Sequence, residues 1–154
     1  DGMLSLLARR GCPAIAMHTL AAPATMQEAP RYEDVVRDVH DHLADRVGAA
    51  VAAGVARSQL LVDPGIGFGK LLDHNLELIR GIGALHAMGL GVVVGSSRKR
   101  FLGEVTGRPV DQRDPASAAA AALSIAYGAD WVRVHDVAGS VDAVAVAGAI
   151  AGSA

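Results

Sequence analysis

Gln59-Leu60-Leu61-Val62-Asp63-Pro64-Gly65-Ile66-Gly67-Phe68-Gly69-Lys70 is a short apolar run that stops at a carboxylate and breaks into glycines. The run is too short for a helix and is bounded by turn residues, so it reads as a strand that delivers Asp63 to a loop. Three other runs have the same form. Ala14-Ile15-Ala16-Met17 follows Pro13 and ends at His18; Gly91-Val92-Val93-Val94 ends at Gly95-Ser96; Trp131-Val132-Arg133-Val134 ends at His135-Asp136. Runs this apolar suit parallel strands covered on both faces. Helical stretches separate them. Residues 32–54 carry one stripe at Val35, Val39, Leu43 and Val47. Residues 75–88 turn Leu76, Ile79 and Leu85 inward, and residues 140–150 are rich in Ala and Val. Asp114-Pro115 starts another helix, with Asp114 as its cap. Residues 3–10 end an earlier helix, closed by Gly11.

Strand–helix alternation makes an α/β fold with a parallel sheet. Four strands with roughly five helices amount to half of an eight-stranded TIM (β/α)8 barrel. No linker or composition break divides residues 1–154, so they form a single partial domain. The inward side chains of such a half-barrel include Ile15, Leu61, Val93 and Val132 or their immediate neighbours, and they would lack an opposite wall.

Composition narrows the function. The chain is 51% hydrophobic and 19% charged, which excludes a disordered segment. A net charge of −2 provides no field for gripping a phosphate backbone, and 3% aromatic residues leave no stacking platform for nucleic acid. The single Cys12 excludes an internal disulfide framework and a multi-cysteine zinc site. The longest apolar stretches, around residues 118–126 and 143–151, fall short of the ~20 residues that a membrane-spanning helix needs. The start of the chain has no signal-peptide pattern, so the sequence reads as soluble and cytoplasmic.

Polar residues gather at the ends of all four strands, the edge where α/β folds bind ligands. The glycine-rich stretch is not a P-loop: Pro64 stands where the first glycine should be, and Leu71 stands where Ser or Thr should follow the lysine. Its glycines indicate a flexible or tightly approached loop beside a ligand. Asp63, with two acceptor oxygens at a strand end, suits a ligand edge bearing two N–H donors. Twelve of the fourteen basic residues are arginine, so Lys99 stands out as a compact ammonium where arginine is the default. Arg98, Lys99 and Arg100 begin a helix, where cations oppose the helix dipole and need an acceptor nearby. Arg133 and His135, two apart on a strand, point the same way and can hold a phosphate group.

These residues carry a resemblance. The glycine-rich octapeptide from Asp63 to Lys70, then His74-Asn75, Gly95-Ser96-Ser97-Arg98-Lys99 and Arg133-Val134-His135-Asp136, resemble bacterial dihydropteroate synthases in order and spacing. Met17-His18, Thr25-Met26-Gln27 and Tyr32 agree with the family's fifth strand and loop. The resemblance covers nearly the whole chain and matches strands five to eight of the family's barrel. It implies condensation of 6-hydroxymethyl-7,8-dihydropterin pyrophosphate with para-aminobenzoate, giving 7,8-dihydropteroate and pyrophosphate for folate synthesis, with sulfonamides as competitors. It implies that Asp63 binds the pterin's amino-pyrimidine edge, that Lys99 reaches the pterin's polar edge and the aminobenzoate pocket, and that Phe68 walls the aryl ring. Gly95 would also contact substrate; Ser97 would meet the aminobenzoate carboxylate; Arg133 would stack on the pterin; His135 would take the pyrophosphate; Met17 would line the floor. Lys99, Arg133 and His135 would be the catalytic set, with no covalent nucleophile.

The resemblance also implies Mg2+, held by an asparagine outside this chain with no metal ligand within it, and a homodimer in the complete enzyme. Two departures are visible. Leu20-Ala21-Ala22-Pro23 replaces polar residues that the family has there, and the family's first four strands have no counterpart here. The expectation is a fragment that is inactive alone. The competing reading is a half-barrel that only binds a pterin or phosphate, or that assembles with a partner. A pterin-dependent methyltransferase, a third reading, is disfavoured by the pairing of Ser97-Arg98-Lys99 with Arg133-Val134-His135.

Overall fold

The computed structural model describes residues 2–20 and 30–152. The chain runs α1 (Gly2–Arg10), β1 (Ala14–Met17), α2 (Val35–Ala52), β2 (Leu60–Asp63), α3 (Leu72–Arg80), β3 (Gly91–Val94), α4 (Arg100–Thr106), α5 (Asp114–Ala126), β4 (Trp131–Val132) and α6 (Val137–Ala151). The strands form one parallel sheet in the order β1-β2-β3-β4. That sequential order never reverses. It is the order of a barrel segment, whereas a doubly wound sheet changes direction at a switch point.

Register assigns the two faces. Ile15 pairs with Leu61, Leu61 with Gly91, and Val93 with Trp131. These residues and those two further along, Met17, Asp63 and Arg133, belong to one face. The other face carries Leu60, Val62, Val92 and Val94, which pack with Val35, Val39, Leu43 and Val47 of α2, Leu78 and Ile79 of α3, and Phe101 and Leu102 of α4 in one core. Helices therefore cover one face of the sheet, not both. None of Ile15, Leu61, Val93 and Trp131 belongs to that core, and Ile15 and Trp131 are about half exposed, at 46% and 52%, but Val93 is buried, at 6%, contrary to expectation. Trp131, not Val132, is the residue of β4 on the helix-free face: its ring lies over Gly91, where a Cβ would collide with it.

Other expectations shift for local reasons. The helix expected over 75–88 stops at Arg80, and Ile82–Met88 is a 3-10 helix. Gly81 sits at the break, where a Cβ would run into Val36. Asp114 does not cap α5 but is its first residue, because its carboxylate is taken by Arg98. The cap of α6 is Asp136, which accepts from the Gly139 N–H. Strand β4 is only two residues long. Beyond it the Arg133 N–H still donates to the Val94 carbonyl, but Val134 is no longer in the ladder, so Arg133 and His135 do not share a strand. Thr25-Met26-Gln27 and Ala21-Ala22-Pro23 lie outside the described residues.

Candidate active site

The C-terminal ends of β1, β2 and β3 and the segment after β4 bring together Met17, Asp63, Gly95, Ser97, Lys99, Arg133 and His135. Asp63 is the hub. Its side chain is buried, Oδ1 accepts from the Gly65 N–H at 2.7 Å, and Oδ2 faces the Arg133 guanidinium at 3.4 Å. Burial pushes the Asp63 carboxyl up, against the opposing pull of the Gly65 N–H, Arg133, Lys99 and Lys70. A carboxylate so placed gains from any ligand that adds N–H donors. Gly95 lies beneath Arg133, where a Cβ would meet the guanidinium and push it aside.

The three successive cations go three ways. Arg98 binds Asp114, Arg100 pairs with Glu104 at 2.6 Å, and Lys99 extends its ammonium over the Phe68 ring, 3.7 Å from the centroid. Only Lys99 turns into the site. Burial lowers its pKa, against the pull of Asp63. Phe68 and Lys99 thus form one cation–π wall beside Asp63. Gly67 makes this possible, since a Cβ there would press on the Lys99 side chain at 2.9 Å.

Ser97 and His135 are coupled. The buried Ser97 hydroxyl accepts from the His135 N–H at 3.2 Å and lies 2.9 Å from His135 Nδ1. His135 is itself exposed, with its ring at the mouth of the site. Arg133 is also largely exposed, so a guanidinium and an imidazole line the rim above a buried carboxylate.

The glycine-rich loop is built more firmly than its composition suggests. Lys70, 4% exposed, donates to His18 Nδ1 at 2.9 Å and to the Gly65 and Phe68 carbonyls at 3.0 Å. Asn75 accepts from the Gly67 N–H and donates to the Leu71 carbonyl; the Tyr32 hydroxyl donates to the Gly69 carbonyl. Gly65 has a positive φ of 68°, and a Cβ there would overlap the His18 carbonyl oxygen. Its glycine therefore answers to β1, not to a ligand. Burial drives Lys70 down to about 7 and His18 down to about 3, the latter aided by Lys70. His18 stays neutral. An ammonium can only donate, so His18 Nδ1 accepts and its proton sits on Nε2. The sequence places Lys70, His18, Tyr32 and Asn75 within the motifs that carry the resemblance but gives none of them a role of its own.

A neighbouring cleft of about 380 Å3 is lined by Gly67, Lys70, Leu71, Asn75, Arg100 and Phe101. It lies behind the loop; Asp63 and Arg133 do not line it. Among the described residues no group of three or more His, Cys, Asp or Glu could hold a metal ion. Asp63 already accepts from Gly65 and faces cations. Asp63, the buried carboxylate of the site, is thus already engaged and does not present a free ligand to Mg2+.

A buried carboxylate, a cation–π wall and a basic rim lie together at the strand ends of a parallel barrel segment, chemistry that suits a flat, N–H-bearing ring with an anionic substituent. The chain belongs to the pterin-binding enzyme family, whose model matches residues 1–135. It is 44% identical over 154 residues to the dihydropteroate synthase of Mycobacterium leprae, covering 96% of this chain and 54% of that protein. The Yersinia pestis dihydropteroate synthase solved with a sulfonamide drug matches with a TM-score of 0.95 at 38% identity, covering all of this chain and 56% of that one. The Xanthomonas albilineans enzyme, solved with 7,8-dihydropteroate, matches with a TM-score of 0.88 at 42% identity, covering 97% of this chain and 54% of that one. The same enzyme has also been solved with 4-aminobenzoic acid. The chain spans about half the length of the curated relatives that it matches.

Proposed function

We propose that these residues supply strands five to eight of a dihydropteroate synthase barrel and carry much of its substrate site. The reaction is displacement of pyrophosphate from 6-hydroxymethyl-7,8-dihydropterin pyrophosphate by the amine of para-aminobenzoate, giving 7,8-dihydropteroate. The observation that carries this reading is the buried Asp63 carboxylate under a rim of Arg133, Lys99 and His135. Asp63 accepts two N–H bonds from the pterin's amino-pyrimidine edge, Arg133 stacks on the ring, and Met17 lies on the same sheet face as a floor. His135 takes the pyrophosphate at the rim. Phe68 walls the aryl ring of the aminobenzoate, and Ser97 reaches its carboxylate once its hydroxyl turns from His135.

Chemistry on such a site is positioning and charge stabilisation. The carbon–oxygen bond to pyrophosphate opens ahead of amine attack. The cations of Lys99 and Arg133 and the His135 imidazole stabilise the departing charge, and the Phe68–Lys99 wall holds the amine in line. No side chain forms a covalent intermediate. Magnesium, which the dihydropteroate synthase resemblance implies, would be held outside this chain and enters none of these steps. The complete enzyme would be a cytoplasmic homodimer.

The second reading, a half-barrel that binds a pterin without turnover, is favoured by the open sheet face. Titration with the dihydropterin pyrophosphate, with and without para-aminobenzoate, separates the two in a chain carrying the whole barrel. Formation of dihydropteroate supports the enzyme. Saturable binding with no product, under conditions where para-aminobenzoate also binds, supports the binding module and overturns the enzyme.

A further inference from the structure

Arg98 is the one described residue other than glycine with a positive φ, at 59°. A bulky side chain is disfavoured there, and such a backbone persists only where its surroundings over-determine it. Here they do. The Arg98 guanidinium donates from Nε to Asp114 Oδ1 at 2.7 Å and from Nη2 to Oδ2 at 2.8 Å. Its N–H donates to Ser117 Oγ at 2.9 Å, and that hydroxyl donates onward to the Arg113 carbonyl at 2.7 Å. Arg113 Nη1 in turn donates to the carbonyls of Arg98 and Lys99 at 3.2 and 3.4 Å. The side chain, the N–H and the carbonyl of Arg98 are thus all held from residues 113–117, at the start of α5. A Cβ at Gly103 would collide with the Arg113 guanidinium, so α4 is hollowed to admit this clamp. The residues on either side of Arg98 both enter the site: Ser97 joins His135, and Lys99 lies over Phe68.

We propose that Arg98 is a positioning residue: its left-handed turn, clamped by Asp114, Ser117 and Arg113, aims Lys99 across Phe68 toward Asp63. The inference rests on the reading of Lys99 as a site residue. Its logic is that glycine would adopt this backbone unaided, whereas any other residue needs the clamp.

The chain has two lysines, Lys70 and Lys99, so lysine labelled with 13C at Cε gives two side-chain signals to titrate by NMR. The charged groups around Lys99 are Asp63 and Arg133, with Lys70 beyond. In the parent, Lys99 titrates below its ordinary range. Arg98→Ala, which loses the ion pair to Asp114 and keeps a Cβ against the positive φ, moves that titration up toward ~10.4, the value of a solvated lysine. Arg98→Gly, which loses the same ion pair but favours the turn, leaves it near the parent's. Lys70, lowered chiefly by burial and only lastly by Lys99, moves less than Lys99 in both and reports an intact loop. If Arg98→Ala does not fold, Asp114→Asn takes its place with the same expected shift. A purely structural anchor would lower the melting temperature of both variants equally without separating their Lys99 titrations. Equal Lys99 values in the Ala (or Asn) and Gly variants would overturn the proposal. Pterin binding by the parent is measured separately: its absence would remove the functional reading of the site, yet leave the Ala–Gly separation to stand or fall alone.

Discussion

At Asp63 burial raises the carboxyl pKa, while Gly65 and three cations hold it down. A pterin adding N–H donors binds the ionised form, so affinity falls as pH drops through the raised Asp63 pKa; a flat profile from pH 7 to 4 would contradict this. Lys99 offers a sharper test. A planar guanidinium cannot replace a compact ammonium above Phe68 beside Arg133, so Lys99→Arg loses activity in the complete barrel despite equal charge. Full activity would mean that charge alone matters. Lys70 carries a pH signature. Unfolded, it takes its proton near 10.5; folded, near 7. Between those values the unfolded chain holds more protons, so Lys70 contributes increasing stability as pH rises from 7 toward 10 and a constant amount below 7. Lys70→Met removes that slope. Urea midpoints at pH 7 and 9.5, compared between parent and variant, check it; identical pH dependence would contradict it.

Elements show where the sequence is legible and where it is not. The stripe at Val35, Val39, Leu43 and Val47 is wholly buried, and three of the four strands fall within a residue of their expected ends, because apolar periodicity and flanking Pro and Gly are local signals. Asp114 is not the cap that its local sequence suggests because its partner, Arg98, is sixteen residues away, and the carboxylate goes to a tertiary ion pair instead. The fourth strand is short because its pairing ends after Val132, which no local pattern encodes. That the candidate site residues gather at strand ends is legible locally; the Lys70–His18–Gly65 staple is not, since it needs β1 and β2 side by side. Glycine substitutions probe that staple. Gly65→Ala meets both a positive φ and the His18 carbonyl, while Gly89→Ala meets a positive φ of 63° and open space. Gly89→Ala costs roughly 1 kcal/mol from backbone strain. Gly65→Ala costs more, by an overpacking penalty of about 1–3 kcal/mol. Equal losses in urea unfolding would show that the approach of the loop to β1 is not tight.

On the scale of the whole molecule, one sheet face lacks helices and β1 and β4 are the edges of an open four-stranded sheet. Ile15 and Trp131 stand on that face about half exposed. Each large apolar side chain left in water forgoes ~1.5–3 kcal/mol. The isolated chain therefore associates at micromolar concentration. Trp131 is the single tryptophan, so its emission shifts to the blue as concentration rises, in step with the sedimenting mass. A monodisperse monomer with constant emission would contradict an open half-barrel and require a self-contained sheet.

All three scales meet at Asp63, which a strand end delivers, a stapled loop orients and the rim of Arg133 and His135 overlies. The direct measurement is the affinity of a complete barrel carrying this chain for dihydropterin pyrophosphate, with Asp63 and with Asp63→Asn, at pH 7. The amide sets a donor against the pterin's donors, and breaking such a buried charged bond costs ~2–5 kcal/mol. The account predicts a loss of affinity of at least thirtyfold, about 2 kcal/mol; an affinity within threefold of the parent's would contradict it.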